Sequence, residues 1–150
     1  MIADKGWHKR FRGQGYRLTI PREAIIHVLS NTEEHLSAED IYMVVHQKHP
    51  AIGLTTVYRT LDILVQMRVV FKFDFGDGRS RYELTEHFSG KKHHHHLICI
   101  ICSRIIDYTD FIDDELELLD RTKKTLSKKH NFQITGHMMQ FYGLCEKCKT

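Results

Sequence analysis

Apolar positions in the first half of the chain recur at helical spacing in three successive segments. Ala24, Ile25, Val28 and Leu29 form a stripe behind Pro21, which suits the first turn of a helix, with Thr19 as its cap and an end near Asn31. Ser37-Ala-Glu-Asp is close to a capping box, and Ile41, Val44 and Val45 supply the buried face that follows. Pro50 and Gly53 interrupt the pattern. From Thr55, Val57, Leu61, Leu64 and Val65 return at helical spacing and leave Thr56, Arg59 and Thr60 on another face. The period then changes. Val69, Val70, Phe71, Phe73 and Phe75 run to Gly76-Asp77-Gly78, and residues 79–85 alternate again, the signature of a hairpin. Three helices and a hairpin are the order of a winged helix-turn-helix, in which the third helix enters the major groove.

Residues 86–92 read as a hinge. Beyond it the pattern gives strands over 97–101 and 104–108, an amphipathic helix within 111–130, and a strand over 132–142. The fold class is therefore α+β: a winged helix-turn-helix domain over 1–85, the hinge, and a small α/β domain over 93–150, too thin to stand without a further tie.

That tie is visible in the cysteines. All four fall in two Cys-x-x-Cys pairs, Cys99/Cys102 and Cys145/Cys148, which bracket the second domain. Each pair on a tight turn can present two thiolates to one ion, and four soft thiolates in a tetrahedron suit a closed structural zinc site. The residues alone leave two other readings open, a redox dithiol or merely buried small side chains.

His93, His94, His95 and His96 stand directly before a strand and a Cys-x-x-Cys pair, which is not where a purification tag sits. On a strand, residues two apart share a face, so His94 and His96 point one way and His93 and His95 the other. Two metal sites can share this strand.

Charge adds a direction. The chain carries 22 basic and 19 acidic residues, a formal +3, so a nucleic-acid surface must come from placement. Lys5, Lys9, Arg10, Arg12, Arg17 and Arg22 face only Asp4 in the first 22 positions, whereas 107–120 is dominated by acids. The chain is 150 residues long and 41% hydrophobic, which excludes full disorder, and no apolar run approaches a membrane span. A cytoplasmic protein with no membrane partner is the expectation.

The motifs that remain are linked. Arg17 to Arg22, His35-Leu-Ser-Ala-Glu-Asp-Ile-Tyr, Gly53-Leu-Thr-Thr-Val-Tyr-Arg-Thr-Leu, Arg81-Tyr-Glu-Leu-Thr, His94-His-His-Leu-Ile-Cys with Cys102, and His137 to Cys148 occur in one order. In that order the chain resembles the ferric uptake regulator family over nearly its whole length. The resemblance implies a homodimer, or a higher oligomer, that binds a palindromic double-stranded DNA operator when metal locks its two readers. It implies a regulatory metal held by His35, Glu83, His94, His96 and Asp107. It implies a third set of His93, His95 and His137 with an acid of the long helix, Asp120 counting back from His137 or Asp114 counting forward from Cys102. It puts Thr55, Thr56, Tyr58 and Arg59 at the DNA, with Arg17 near backbone or minor groove.

Three departures from the family's pattern stand out: a longer segment between Glu83 and the histidines, an insertion within Phe111 to Leu119, and Ser103 where glycine is usual after the second cysteine. By the same resemblance, peroxide-sensing members tend to carry aspartate at the position of Glu83, and zinc-sensing members tend to add a cysteine to the regulatory site. The expected cofactors are thus structural Zn2+ and regulatory Fe2+, with Mn2+ or Zn2+ as alternatives. An iron-dependent repressor is expected rather than an enzyme. The rivals are a zinc enzyme, for which no nucleophile or general base sits at a recognisable spacing, and a metal store.

Overall fold

The computed structural model describes residues 7–74 and 77–150. Lys5, Asp4, Phe75, Gly76 and the side chain of Arg10, used above, lie outside the described residues. The chain divides into two compact units, Met1–Lys91 and Lys92–Thr150.

The first unit opens with a helix that the apolar pattern did not announce, α1 (Trp7–Gly13). Its segment is basic, and the side chain that seats it is Phe11, fully buried in the core, while the Phe11 carbonyl accepts from Tyr16 N–H at 2.8 Å. One anchor on a short helix leaves no period to read. The next three helices follow their expected caps: α2 (Ile20–Ser30), α3 (Ala38–Lys48) and α4 (Leu54–Gln66). Thr19 accepts from Arg22 N–H at the start of α2. Ser37 and Asp40 close a complete capping box, Asp40 N–H to Ser37 Oγ at 3.1 Å and Ser37 N–H to Asp40 Oδ2 at 3.0 Å. Such caps are each worth about 1 kcal/mol.

Two face assignments differ. Val44 is exposed, leaving Ala38, Ile41 and Val45 to bury α3, whereas Thr60 is buried on α4, its hydroxyl donating to the Thr56 carbonyl at 2.7 Å. A threonine that satisfies its own hydroxyl one turn back can join a core without an orphaned polar group.

The strands β1 (Val70–Asp74) and β2 (Ser80–Leu84) pair antiparallel, Val70 opposite Leu84 and Asp74 opposite Ser80. Tyr82 N–H also bonds the Leu36 carbonyl at 2.8 Å, bridging the hairpin to the entry of α3. Ile25, Ile26, Ile41, Val57, Leu61, Leu64, Val69 and Tyr82 fill one core between helices and hairpin.

The segment expected as a hinge carries local structure. Glu86–Ser89 is a helical turn, α5, closed by Gly90 in the left-handed region at φ 72°, and Phe88 is buried in the first unit's core. Burying such a ring contributes about 2 kcal/mol. The boundary between the units accordingly falls after Lys91.

The second unit is a three-stranded sheet in the order β4-β3-β5, with β3 (His95–Cys99) central, β4 (Ile105–Tyr108) antiparallel to it and β5 (Gln140–Gly143) parallel. Strand pairing near the C-terminus is confined to β5, so the expected strand over 132–142 is shortened. β3 offers β5 partners only from His96 to Cys99, and the residues before Gln140 find no neighbour there. Helix α6 (Ile112–His130) ends at Asn131 with φ 48° and has no buried residue. Among the described residues of this unit only His95, His96, Ile98 and Cys99 are buried.

Candidate metal centres and nucleic-acid interface

Cys99 ends β3, and Ser103 N–H closes on its carbonyl at 3.0 Å, turning Cys102 back toward it. Lys149 N–H closes on the Cys145 carbonyl at 2.9 Å in the same way, and Cys148 N–H also reaches that carbonyl at 2.9 Å. Parallel pairing sets Gly143 opposite Cys99, and the second turn then arrives at the first, with Cys145 N–H 3.4 Å from Cys99 Sγ and Cys102 Sγ 3.7 Å from Cys145 Sγ. All four sulfurs lie within 4.8 Å of one another, and none is in a disulfide.

The electrostatics of this cluster are divided. Backbone N–H groups of Cys102, Cys145 and Ile101 hold the Cys99 thiol down to about 6, a thiolate at neutral pH. Cys148 is pushed up to about 12, first by its bond with Cys145 and then by burial and the other thiols. Four sulfurs this close cannot all be anionic without a cation among them, and a soft divalent ion is what such a donor set fits.

The histidine run alternates as a strand must. His94 and His96 face the same side with ring centroids 5.0 Å apart. Pairing with β4 brings Asp107 opposite His96, so that its carboxylate lies 3.5 Å from His96 Nε2 and 3.9 Å from His94 Nε2. In the first unit, His35 Nε2 lies 3.0 Å from Glu83 Oε2. The Leu36–Tyr82 bridge explains this pair, because it aligns the residue before Leu36 with the residue after Tyr82.

On the other face of β3, His93, His95 and His137 converge. Their Nε2 atoms are separated by 3.0 Å (93–95), 3.2 Å (93–137) and 3.5 Å (95–137). His95 Nδ1 meets Glu115 Oε2 at 2.5 Å, and Tyr108 donates to the same carboxylate at 3.3 Å. Burial, then Lys123 and the neighbouring histidines, lowers His137 to about 4, and burial also lowers His95. The rings are held neutral, the form that ligates metal. The acid that meets this group is Glu115. Asp120 pairs with Lys124 at 2.8 Å, and the helix turns Glu115, one residue past Asp114, onto His95 instead. Counting along a chain with Phe111 at φ 55° misses by one position what the helix start decides.

Gly53 is the N-cap of α4 and brings no side-chain cap bond. Its first N–H groups and dipole therefore favour an anion. Thr55, Thr56 and Arg59 are exposed on its first turns and Tyr58 is 39% exposed. Tyr58 is no core residue: its hydroxyl donates to Glu39 Oε1 at 2.6 Å. Arg17 is exposed, and its carbonyl accepts from the Arg22 guanidinium, which lies over the Phe11 and Tyr16 rings. Glu39, Arg79, Tyr108 and Glu115 were missed in the sequence. Glu39 at N2 of a capped helix on the reader was the signal available for the first; nothing local marked the others.

The comparisons with known proteins agree on one group. The model of the ferric uptake regulator family matches residues 13–142. The ferric uptake regulation protein of Bacillus subtilis is 43% identical over 144 residues, covering 93% of this chain and 90% of that protein. The solved Helicobacter pylori ferric uptake regulator, described as having three functional metal-binding sites, covers 95% of this chain and 88% of its own at a TM-score of 0.70 and 27% identity. A manganese-containing ferric uptake regulator of Pseudomonas aeruginosa covers 93% and 97% at 0.69 and 26%.

Proposed function

From the premise that this chain belongs to the ferric uptake regulator family, we propose that it is an iron-responsive repressor, a homodimer that reads a palindromic operator. At the coarser level it is a metal-responsive transcriptional regulator, and no helix among the described residues is long and apolar enough to cross a membrane. The relatives are named as regulators rather than enzymes.

The observation that carries the reading is the pair of ligand half-sets. His35 with Glu83 stand together in the first unit, and His94, His96 and Asp107 together in the second. An ion that recruits both halves binds one arrangement of the reader better than the others, and so shifts the population toward the DNA-competent form. Nitrogen and carboxylate donors suit iron(II), with manganese(II) or zinc(II) as competitors. The four cysteines would hold zinc(II), which contributes folding free energy to a unit with so few buried residues. His93, His95 and His137, with Glu115 beside them, would take a further ion. On the DNA side, Thr55 and Thr56 suit phosphate, Arg59 guanine and Tyr58 a thymine methyl, with Arg17 on the backbone or in the minor groove. Two copies would associate through the second unit, where Leu97, Ile106, Phe141, Tyr142 and Leu144 are exposed around one groove.

The test is fluorescence anisotropy at fixed salt, using a duplex selected from a random pool by the manganese-loaded protein. Loosely held metal is first stripped, and iron(II), manganese(II) or zinc(II) is added back. Binding that requires metal, is strongest with iron(II), and disappears in the His94→Ala/His96→Ala variant is expected. Arg59→Ala should lose the duplex and keep its metals. Binding indifferent to metal would sink the proposal.

A further inference from the structure

The reader contains a carboxylate where DNA-facing surfaces usually place cations. Glu39, at the second position of α3, is nearly half exposed, yet both its oxygens are engaged: Oε1 accepts the Tyr58 hydroxyl at 2.6 Å, and Oε2 lies 3.8 Å from the Arg79 guanidinium. Arg79 stands at the tip of the hairpin, and its guanidinium also donates to Ser37 Oγ at 2.9 Å, the hydroxyl that caps α3. Three elements thus meet at one acid: the start of α3, the first turns of α4 and the hairpin.

We propose that Glu39 is a positioning residue that sets sequence selectivity, its carboxylate fixing the Tyr58 ring at the reading face of α4 and tethering Arg79 of the wing. The inference rests on the DNA-binding reading above. A phenol free to rotate about χ1 and χ2 meets several base edges equally well, whereas one tied to an anion presents one edge in one place. The same charge faces incoming phosphates. It lowers affinity for every duplex by repulsion, and only a duplex that satisfies Tyr58 and Arg79 in their tethered places recovers the loss. Glu39 touches no base itself. It acts through Tyr58 and Arg79.

The test compares wild type with Glu39→Ala, Glu39→Gln, Tyr58→Phe and the Glu39→Ala/Tyr58→Phe double variant in the full-length, manganese-loaded dimer. Dissociation constants are measured for the pool-selected duplex and for a scrambled duplex of the same length, across a series of salt concentrations. In Glu39→Ala the scrambled duplex should bind several-fold more tightly, and the ratio of the two constants should fall about tenfold. Glu39→Gln keeps an oxygen for the Tyr58 hydroxyl but removes the charge, so it should tighten scrambled binding while retaining more of the ratio. Tyr58→Phe should reduce the ratio without tightening scrambled binding, and the double variant should be no less selective than Glu39→Ala alone, because both changes cut one bond. A thermal midpoint for each variant separates misfolding from lost selectivity, and the glutamine variant, which keeps an oxygen for the Tyr58 hydroxyl, carries the test if the alanine variant unfolds. A ratio unchanged in Glu39→Ala and Glu39→Gln, or fully additive losses in the double variant, overturns the inference while leaving the regulator reading in place. A wild-type chain that binds neither duplex with any metal overturns both.

Discussion

Nδ1 of His95 lies 2.5 Å from Oε2 of Glu115, joining the central strand of the second unit to the first turn of its long helix. The contact orients the ring so that Nε2 points at His93 and His137. A carboxylate behind a ligating imidazole fixes its tautomer and raises its basicity, and its loss typically costs about 10 to 100-fold in metal affinity. Glu115→Gln should weaken one class of manganese(II) or zinc(II) site by that factor in isothermal titration, and Asp120→Asn should change nothing. Equal effects of the two would return Asp120 to the site.

The cysteine cluster should couple metal to folding. Cys148 stands at about 12 and Cys99 at about 6, so zinc(II) added at pH 8 finds Cys99 as a thiolate and must displace a proton from Cys148. Proton release in weak buffer is expected on loading, with affinity falling as pH drops. Cys148→Ser should lower the thermal midpoint by about 10 °C or more. A variant that melts like wild type would remove the structural role.

His137 gives the metal-free second unit an acid sensitivity of known sign. Its value is lowered from 6.5 to about 4 in the fold, chiefly by burial. Below pH 6.5 the unfolded chain takes up a proton that the folded chain refuses. Stability is therefore fully present above that pH and declines as pH falls toward 4. Denaturant midpoints of the metal-free protein should fall across this window, and His137→Gln should flatten the fall. A slope that survives the substitution would assign the effect elsewhere.

Ser103 occupies the left-handed region at φ 60° in the turn after Cys102. A side chain there costs about 1 kcal/mol, which glycine avoids while adding some entropy to the unfolded chain. Ser103→Gly should therefore stabilise the zinc-loaded protein by roughly 0.5 kcal/mol, read as a higher denaturant midpoint with an unchanged slope. Destabilisation would mean that the serine earns its place through contacts.

Much of this protein is decided locally, and that part was legible in the residues. Thr19, Ser37 with Asp40, and Pro21 act within one helical turn, so caps and helix starts could be read off directly. The opposite facing of His93/His95 and His94/His96 follows from the pleat of a strand and needs no neighbour. Two Cys-x-x-Cys turns carry their own geometry, and their meeting required only that the C-terminal strand join the first. What the chain alone did not decide is which distant groups meet. α1 and α5 exist because Phe11 and Phe88 find room in a core built from other elements. Glu115 rather than Asp114 reaches His95 because the start of α6 sets the rotation of its whole face, and one residue is 100° of turn. Glu39, Tyr58 and Arg79 belong to three elements whose packing alone brings them together. Local hydrogen bonds and period are properties of a few consecutive residues, whereas these meetings depend on where independent elements come to rest, and only the tertiary fold fixes that.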